Sequence, residues 1–151
     1  MTPTERIAVL LPLAAGAAAV LCTIFLHGLV WNTTLNFLRR ERRLGRTGVS
    51  FWMDLIIVAR TISLALAAHL MEIGVWAILF VICGEFSEFG TAYYHSAGNY
   101  TTLGSGLTMT PAWRLLGPLE AATGALMFGV STAMIFGLIQ RLVQVRYTDL
   151  D

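Results

Sequence analysis

An apolar stretch without formal charge, residues 7–31, constrains this chain more than any other feature of its sequence. About 20 apolar residues are enough for a helix to cross the hydrocarbon core of a bilayer. Two further apolar stretches, residues 51–83 and 115–138, reach a similar length. Only 13% of the chain is charged, against about 25% in soluble domains. The sequence therefore predicts an all-helical membrane protein with three transmembrane helices.

The distribution of arginine predicts the orientation of these spans. Arginines cluster in Arg39–Arg46, between the first two spans, whereas residues 84–112 carry only Glu85 and Glu88 as formal charges. Basic residues in short loops concentrate on the cytoplasmic side, so we expect the N-terminus outside and the C-terminus inside a bacterial plasma membrane. Anionic lipid is a candidate partner of the basic segment. A net charge of only +1 gives no case for nucleic-acid binding.

The segment 84–112 is too long for a tight turn and too apolar for a solvated loop. Its residues 87–99 indicate a short helix, with Ser87 as N-cap and Glu88 in the first turn. The threonines and alternating glycines that follow disfavour a helix. Non-helical backbone at membrane depth is tolerated only where it is buried in protein or lines a water-filled cavity. We therefore predict a re-entrant helix followed by an extended loop of Thr101, Thr102, Leu103, Gly104, Ser105 and Gly106.

These residues resemble the pore region of potassium channels. The segment 92–106, Ala-Tyr-Tyr-His-Ser-Ala-Gly-Asn-Tyr-Thr-Thr-Leu-Gly-Ser-Gly, is similar to the pore helix and signature filter of that family. The usual filter pattern is Thr-Thr-(Val/Ile)-Gly-(Tyr/Phe)-Gly-Asp. The resemblance extends to the Trp-Arg-Leu sequence at 113–115, followed by Gly124 and Gly129, and covers roughly residues 51–142.

The resemblance implies a potassium-channel-like pore domain in residues 51–151, with an outer helix 51–83, a pore helix 87–99, a filter 101–106 and an inner helix 113–142. Residues 1–50 would be an additional transmembrane helix with a basic cytoplasmic loop. One copy supplies a quarter of a filter, so the implied assembly is a cyclic homotetramer. The implied function is passive conduction of monovalent cations, K⁺ and/or Na⁺, without enzymatic activity, cofactor or resident metal.

The resemblance also assigns roles to individual residues. The loop 101–106 would line the pore with carbonyl oxygens that replace the hydration shell of the cation, with Thr102 at the innermost site. Residues of the inner helix would form its hinge and gate: Gly124, Gly129 and Phe136. Three residues would support the filter: Glu120, Tyr94 and His95.

Two residues depart from the family pattern. Ser105 stands where a tyrosine or phenylalanine is usual, and Leu107 stands where an aspartate is usual. An aromatic ring would pack on Tyr94 and His95, which a serine is not expected to reach in the same way. The sequence therefore predicts cation conduction with reduced selectivity for potassium over sodium.

An ionisable pair lies within the second span. His69 and Glu72 share a helix face because they are three residues apart. Intramembrane ionisable groups are costly and are functional by default. The pair either fixes the second span against its neighbours through a hydrogen bond or senses pH and takes part in gating.

Two other classes of function compete with a channel. The chain could be a non-conducting, channel-like accessory protein whose filter has lost its function at Ser105 and Leu107. It could also be a metal-binding or redox membrane protein that uses His27, His69 and His95, although no closely spaced ligand motif is present.

Overall fold

The computed structural model describes residues 3–48 and 50–148, with side chains for 9–48 and 50–146. Within these residues the chain forms four helices and no strand: α1 (Pro3–Arg43), α2 (Phe51–Ile82), α3 (Phe89–Tyr100) and α4 (Leu116–Thr148). The helices α1, α2 and α4 are long and apolar enough to cross a membrane. The prediction of an all-helical protein with three candidate membrane spans is confirmed.

α1 extends further than the sequence analysis predicts. The basic residues up to Arg43 continue the helix, because arginine is a good helix former. Its last turn holds several positive charges close to the partially negative helix end: Arg40, Arg42 and Arg43. The segment Arg39–Arg46, predicted to lie between the spans, is therefore helical as far as Arg43, and the backbone N–H of Leu44 still donates to the carbonyl oxygen of Arg40 at 3.0 Å.

α3 occupies the position expected for the short helix, with shifted ends. It begins at Phe89 and ends at Tyr100. The predicted N-cap at Ser87 is wrong, because Glu88 occupies that position in extended backbone and makes no side-chain capping bond. The helix is thus held at its N-terminal end by backbone contacts and packing.

α4 begins later and ends later than predicted. Its first residue is Leu116 rather than residue 113, because a separate turn precedes it. In that turn the backbone N–H groups of Trp113 and Arg114 both donate to the carbonyl oxygen of Thr110 at 3.1 Å. The helix then continues to Thr148, beyond the expected end at residue 142.

α2 is the central helix, in contact with α1, α3 and α4. The largest apolar cluster lies where α2, α3 and the start of α4 meet, with Ala19 of α1 against it, and the side chains of Trp76, Phe80 and Tyr100 are fully buried in it. Large apolar side chains on the outer helix faces are exposed in the single chain, among them Leu21 and Ile82. These outer faces suit contact with lipid or with further copies of the chain.

The opposite end of α2 is joined to α4 by polar contacts. The Asp54 carboxylate accepts a hydrogen bond from the backbone N–H of Gly48 at 2.9 Å. It also pairs with the Arg146 guanidinium at 3.3 Å. Arg60 lies over the Phe37 ring of α1, 4.6 Å from its centroid. The charged residues of this end of α2 therefore have protein partners.

Candidate functional site

The loop after α3 folds back onto the helix that precedes it. The backbone N–H of Thr102 donates to the carbonyl oxygen of Asn99 at 2.8 Å, and that of Gly104 donates to the carbonyl oxygen of Gly98 at 2.9 Å. The last carbonyl groups of a helix have no partner within the helix. The loop provides partners for them, so the end of α3 and the loop form one unit.

The backbone of the loop alternates in handedness. The φ angle is positive at Thr102 (63°), Gly104 (76°) and Gly106 (72°), and the residues between them are not in this region. Such alternation lets successive peptide groups face the same side of the chain. A positive φ is uncommon for a β-branched residue and costs about 1–3 kcal/mol. The strain at Thr102 marks this loop as a candidate functional segment.

Gly98 allows the loop to approach α3 closely. A Cβ atom at this position would lie 2.8 Å from the nitrogen of Ser105 and 2.9 Å from the carbonyl carbon of Gly104. Both neighbours are backbone atoms, which cannot move aside as the end of a side chain can. A residue larger than glycine at position 98 would therefore push the loop away from the helix.

We expect Gly98→Ala to destabilise the fold by about 1–3 kcal/mol, because overpacking forces backbone shifts. Unfolding of the purified protein in detergent measures the change. Gly90→Ala is the matched control in the same helix, since a Cβ atom there meets nothing within 4 Å. Equal stability of the two variants would contradict the close docking of the loop.

Ser105 is held by His95. The His95 Nδ1 atom lies 2.6 Å from the Ser105 hydroxyl oxygen, and the Asn99 amide nitrogen lies 3.0 Å from His95 Nε2. The amide nitrogen can only donate, so the ring proton lies on Nδ1 and is donated to Ser105. Burial lowers the pKa of His95 against an opposing effect of the Glu85 carboxylate, which favours this neutral ring.

Ser105 thus contacts His95 through a hydrogen bond and not through the ring packing that an aromatic residue would make. The ring of His95 packs in turn on Phe80 and Phe86, with centroid distances of 5.2 and 4.8 Å. A hydrogen bond replaces the expected aromatic packing between the loop and α3. Tyr94, the other expected partner, has 64% of its surface exposed.

Two glutamates fix the surroundings of the loop. The Glu85 carboxylate, just after α2, accepts hydrogen bonds from both the backbone N–H of Thr110, at 2.8 Å, and the hydroxyl of Thr110. This contact ties the chain beyond the loop to the end of α2. Glu120 of α4 is fully buried and lies in hydrogen-bond contact with the Ser96 hydroxyl of α3. Glu120 thus braces α3 rather than the loop itself.

The three residues expected to form the hinge and gate lie in different surroundings. A Cβ atom at Gly124 would collide with the backbone carbonyl oxygen of Tyr100, so this glycine permits close packing of α4 on the end of α3. A Cβ atom at Gly129 would meet nothing within 4 Å. Phe136 is 60% exposed. A role of these residues in gating stays a prediction.

A second polar site is buried between the helices, centred on Glu72. Its Oε1 atom lies 2.8 Å from His27 Nδ1 of α1, and its Oε2 atom lies 3.3 Å from His69 Nδ1. The Tyr100 hydroxyl at the end of α3 donates to the same Oε2 atom. These side chains are all buried. We call this group, completed by Ser131 below, the His–Glu cluster.

Ser131 adds the fourth helix to the cluster. Its hydroxyl oxygen lies 3.0 Å from His69 Nε2 and 3.4 Å from His27 Nε2. The ring of Phe128, also on α4, covers His69 with a centroid distance of 4.5 Å. Every helix thus contributes a side chain to the His–Glu cluster.

The sequence identified part of this cluster. His69 and Glu72 are in contact as their spacing predicts, whereas the three histidines of the rival metal-site hypothesis do not come together. His27 joins the pair, and His95 lies instead beside Ser105. Tyr100 and Ser131 were not predicted. Ser131 lies seven residues after Gly124, so the two share one face of α4. This spacing is the sequence feature that could have indicated Ser131.

Comparison of the chain with protein-family models, curated proteins and solved structures found no match. The function is therefore inferred from the residues and their geometry.

Proposed function

We propose that the chain is one subunit of a homotetrameric channel that conducts monovalent cations passively across a membrane. The observation that carries this proposal is the direction of the peptide groups in the loop. The N–H groups of Thr102 and Gly104 are directed at α3. In a trans peptide the carbonyl of the preceding residue points the opposite way, and the described backbone contains no cis peptide. The carbonyl groups of Thr101 and Leu103 therefore point away from α3.

Carbonyl groups on the free side of such a loop suit a cation pathway. Carbonyl oxygens arranged around an axis replace the hydration shell of a permeating cation. In the proposed channel α3 is a re-entrant pore helix and residues 101–106 are the filter. The C-terminal end of a helix is partially negative, so α3 would favour a cation near the start of the filter.

A closed ring of carbonyl groups requires several copies of the loop. One chain provides a single strand of the filter, and cyclic symmetry of four copies is the proposed arrangement. Leu103 is 86% exposed in the single chain, although it is a large apolar residue in the middle of the loop. A tetramer would give this side chain a protein neighbour.

The contact between Ser105 and His95 bears on selectivity. The hydrogen bond of 2.6 Å between them takes the place of an aromatic ring that would wedge the filter at a fixed width. A single hydrogen bond fixes the loop at one point and fills less space than a ring. We therefore propose a channel that conducts potassium and also admits sodium.

The proposed orientation places the arginine-rich end of α1 in the cytoplasm. The last turn of α1 contains Arg40, Arg42 and Arg43, and cytoplasmic loops carry an excess of such residues. Anionic lipid headgroups are proposed partners at Arg39–Arg46. The C-terminal end of α4, with Arg146, would lie on the same side, in agreement with its contact to Asp54.

A reversal potential tests the proposal directly. The purified tetramer is reconstituted into planar bilayers with potassium on one side and sodium on the other. We expect a cation current with a reversal potential between zero and the potassium equilibrium value. Ser105→Tyr is expected to raise the permeability ratio of potassium over sodium severalfold, because a ring would fill the space beside the filter. The reversal potential would then move toward the potassium equilibrium value.

Ser87→Tyr is the matched control, since Ser87 is an exposed serine outside α3. It should leave the reversal potential unchanged. A folded tetramer without any cation current would overturn the proposal. That outcome would favour the non-conducting accessory protein, whose filter has the fold but not the activity.

A further inference from the structure

The His–Glu cluster has the donor atoms of a metal site. Single ligand atoms of His27, His69 and Glu72 lie within 4.8 Å of one another. The Nδ1 atom of His69 lies 3.3 Å from Glu72 Oε2 and 3.1 Å from the Tyr100 hydroxyl oxygen. Two ligand atoms at about 2.0–2.1 Å from one tetrahedral ion are roughly 3.3 Å apart. The two separations from His69 are close to this value, whereas the shorter contacts of Glu72 with His27 Nδ1, at 2.8 Å, and with the Tyr100 hydroxyl would lengthen when an ion is bound.

The charges of the cluster call for a cation. The Glu72 carboxylate is buried, and its described ion-pair partners are the rings of His27 and His69 alone. An uncompensated charge at such a position is strongly unfavourable. A dication bound by two imidazoles, the carboxylate and the phenolate of Tyr100 would form a neutral complex, with the phenol proton released to water as the ion binds.

The position of Ser131 explains why the Nδ1 atoms would be the ligands. Both Nε2 atoms lie near its hydroxyl oxygen, which has two lone pairs but one proton. If both Nε2 atoms carry protons, Ser131 accepts from both rings, and both Nδ1 lone pairs face Glu72. Histidines that bind metals usually donate their other ring N–H to a fixed partner of this kind.

We propose that His27, His69, Glu72 and Tyr100 form a binding site for a first-row transition-metal dication of the zinc type, with Ser131 orienting both rings. Imidazole nitrogen with carboxylate and phenolate oxygen suits zinc and its neighbours, whereas calcium and magnesium prefer oxygen ligands alone. The site joins all four helices and ends at Tyr100, the residue before the loop. The proposed metal site does not depend on the proposed channel function.

Metal titration of the full chain tests the site. The protein is purified in detergent, treated with chelator and titrated with Co²⁺, whose visible absorption reports tetrahedral coordination by nitrogen and oxygen. We expect one Co²⁺ per chain, displacement of the cobalt signal by Zn²⁺, and a melting temperature that rises with Zn²⁺ and falls again with chelator. Ser131→Ala should weaken binding about 10–100-fold, the usual cost of losing an orienting partner.

The histidines supply matched controls. His27→Gln and His69→Gln should abolish the cobalt signal, whereas His95→Gln should retain it, because His95 lies beside Ser105 instead. Folded wild-type protein that binds no Co²⁺ and is not stabilised by Zn²⁺ would overturn the proposal, and so would equal loss of binding in His95→Gln. If the first two variants do not fold, the wild-type titration and Ser131→Ala decide the question.

Discussion

Replacement of Glu72 by alanine is expected to lower the free energy of unfolding by about 1–3 kcal/mol, measured in detergent with chelator present. The carboxylate lies in hydrogen-bond contact with three buried groups: His27, His69 and Tyr100. Hydrogen bonds between helices in membranes contribute about 0.6 kcal/mol on average and reach about 1.7 kcal/mol. Two of the three contacts join helices, those to His27 of α1 and to Tyr100 of α3, and together they give the expected range. α1 should separate from α2 first, because His27 is its buried polar link to that helix.

Glu88→Ala is the control for this prediction. Glu88 is exposed and makes no capping hydrogen bond, so its loss should change stability by no more than about 0.5 kcal/mol. Glu72→Gln should fall between the two, since an amide oxygen still accepts from one or two donors. If Glu72→Ala unfolds like Glu88→Ala, the cluster does not hold the helices together.

Gly124→Ala is expected to destabilise the protein by about 1–3 kcal/mol and to abolish cation current. The added methyl group would overlap the carbonyl oxygen of Tyr100, and overpacking against backbone costs this much. Because Tyr100 leads directly into the loop, the displacement would reach Thr101 and Thr102. Unfolding in detergent and current in bilayers measure the two effects.

Gly129→Ala provides the comparison in the same helix. Its added methyl group meets nothing within 4 Å, and alanine is favoured over glycine in a helix by about 1 kcal/mol. This variant should be at least as stable as the wild type. Equal stability of the two variants would contradict the close packing of Gly124 on Tyr100.

The spans could be predicted from sequence because their signal is local. Apolar stretches of sufficient length define α1, α2 and α4, whatever these helices pack against. The ends of the helices were less predictable, because they depend on whether the neighbouring residues favour another helical turn or a loop. Arg39–Arg43 was predicted as part of a loop from its charge, although arginine is also a good helix former. The turn that precedes α4 contains Thr110, whose backbone N–H donates to the Glu85 carboxylate 25 residues earlier in the chain.

The candidate site could be predicted only where its residues are neighbours in the sequence. His69 and Glu72 share a helix face, so their contact follows from spacing. His27 lies 45 residues before Glu72, and no local sequence pattern indicates that α1 and α2 bring these two residues into contact. The contact between Ser105 and His95 was missed because it depends on how the loop folds back onto Gly98, which spacing alone does not determine.

The contact between His27 and Glu72 also bears on how the chain enters a membrane. Chains fold from the N-terminus during synthesis, so α1 and α2 would be inserted before α3 and α4 exist. An acidic residue in the middle of an inserting helix costs about 2.5–3.5 kcal/mol. With its carboxylate 2.8 Å from His27 Nδ1, Glu72 has a partner on the helix that precedes it. The first helix would thus act as a built-in insertion partner for the second.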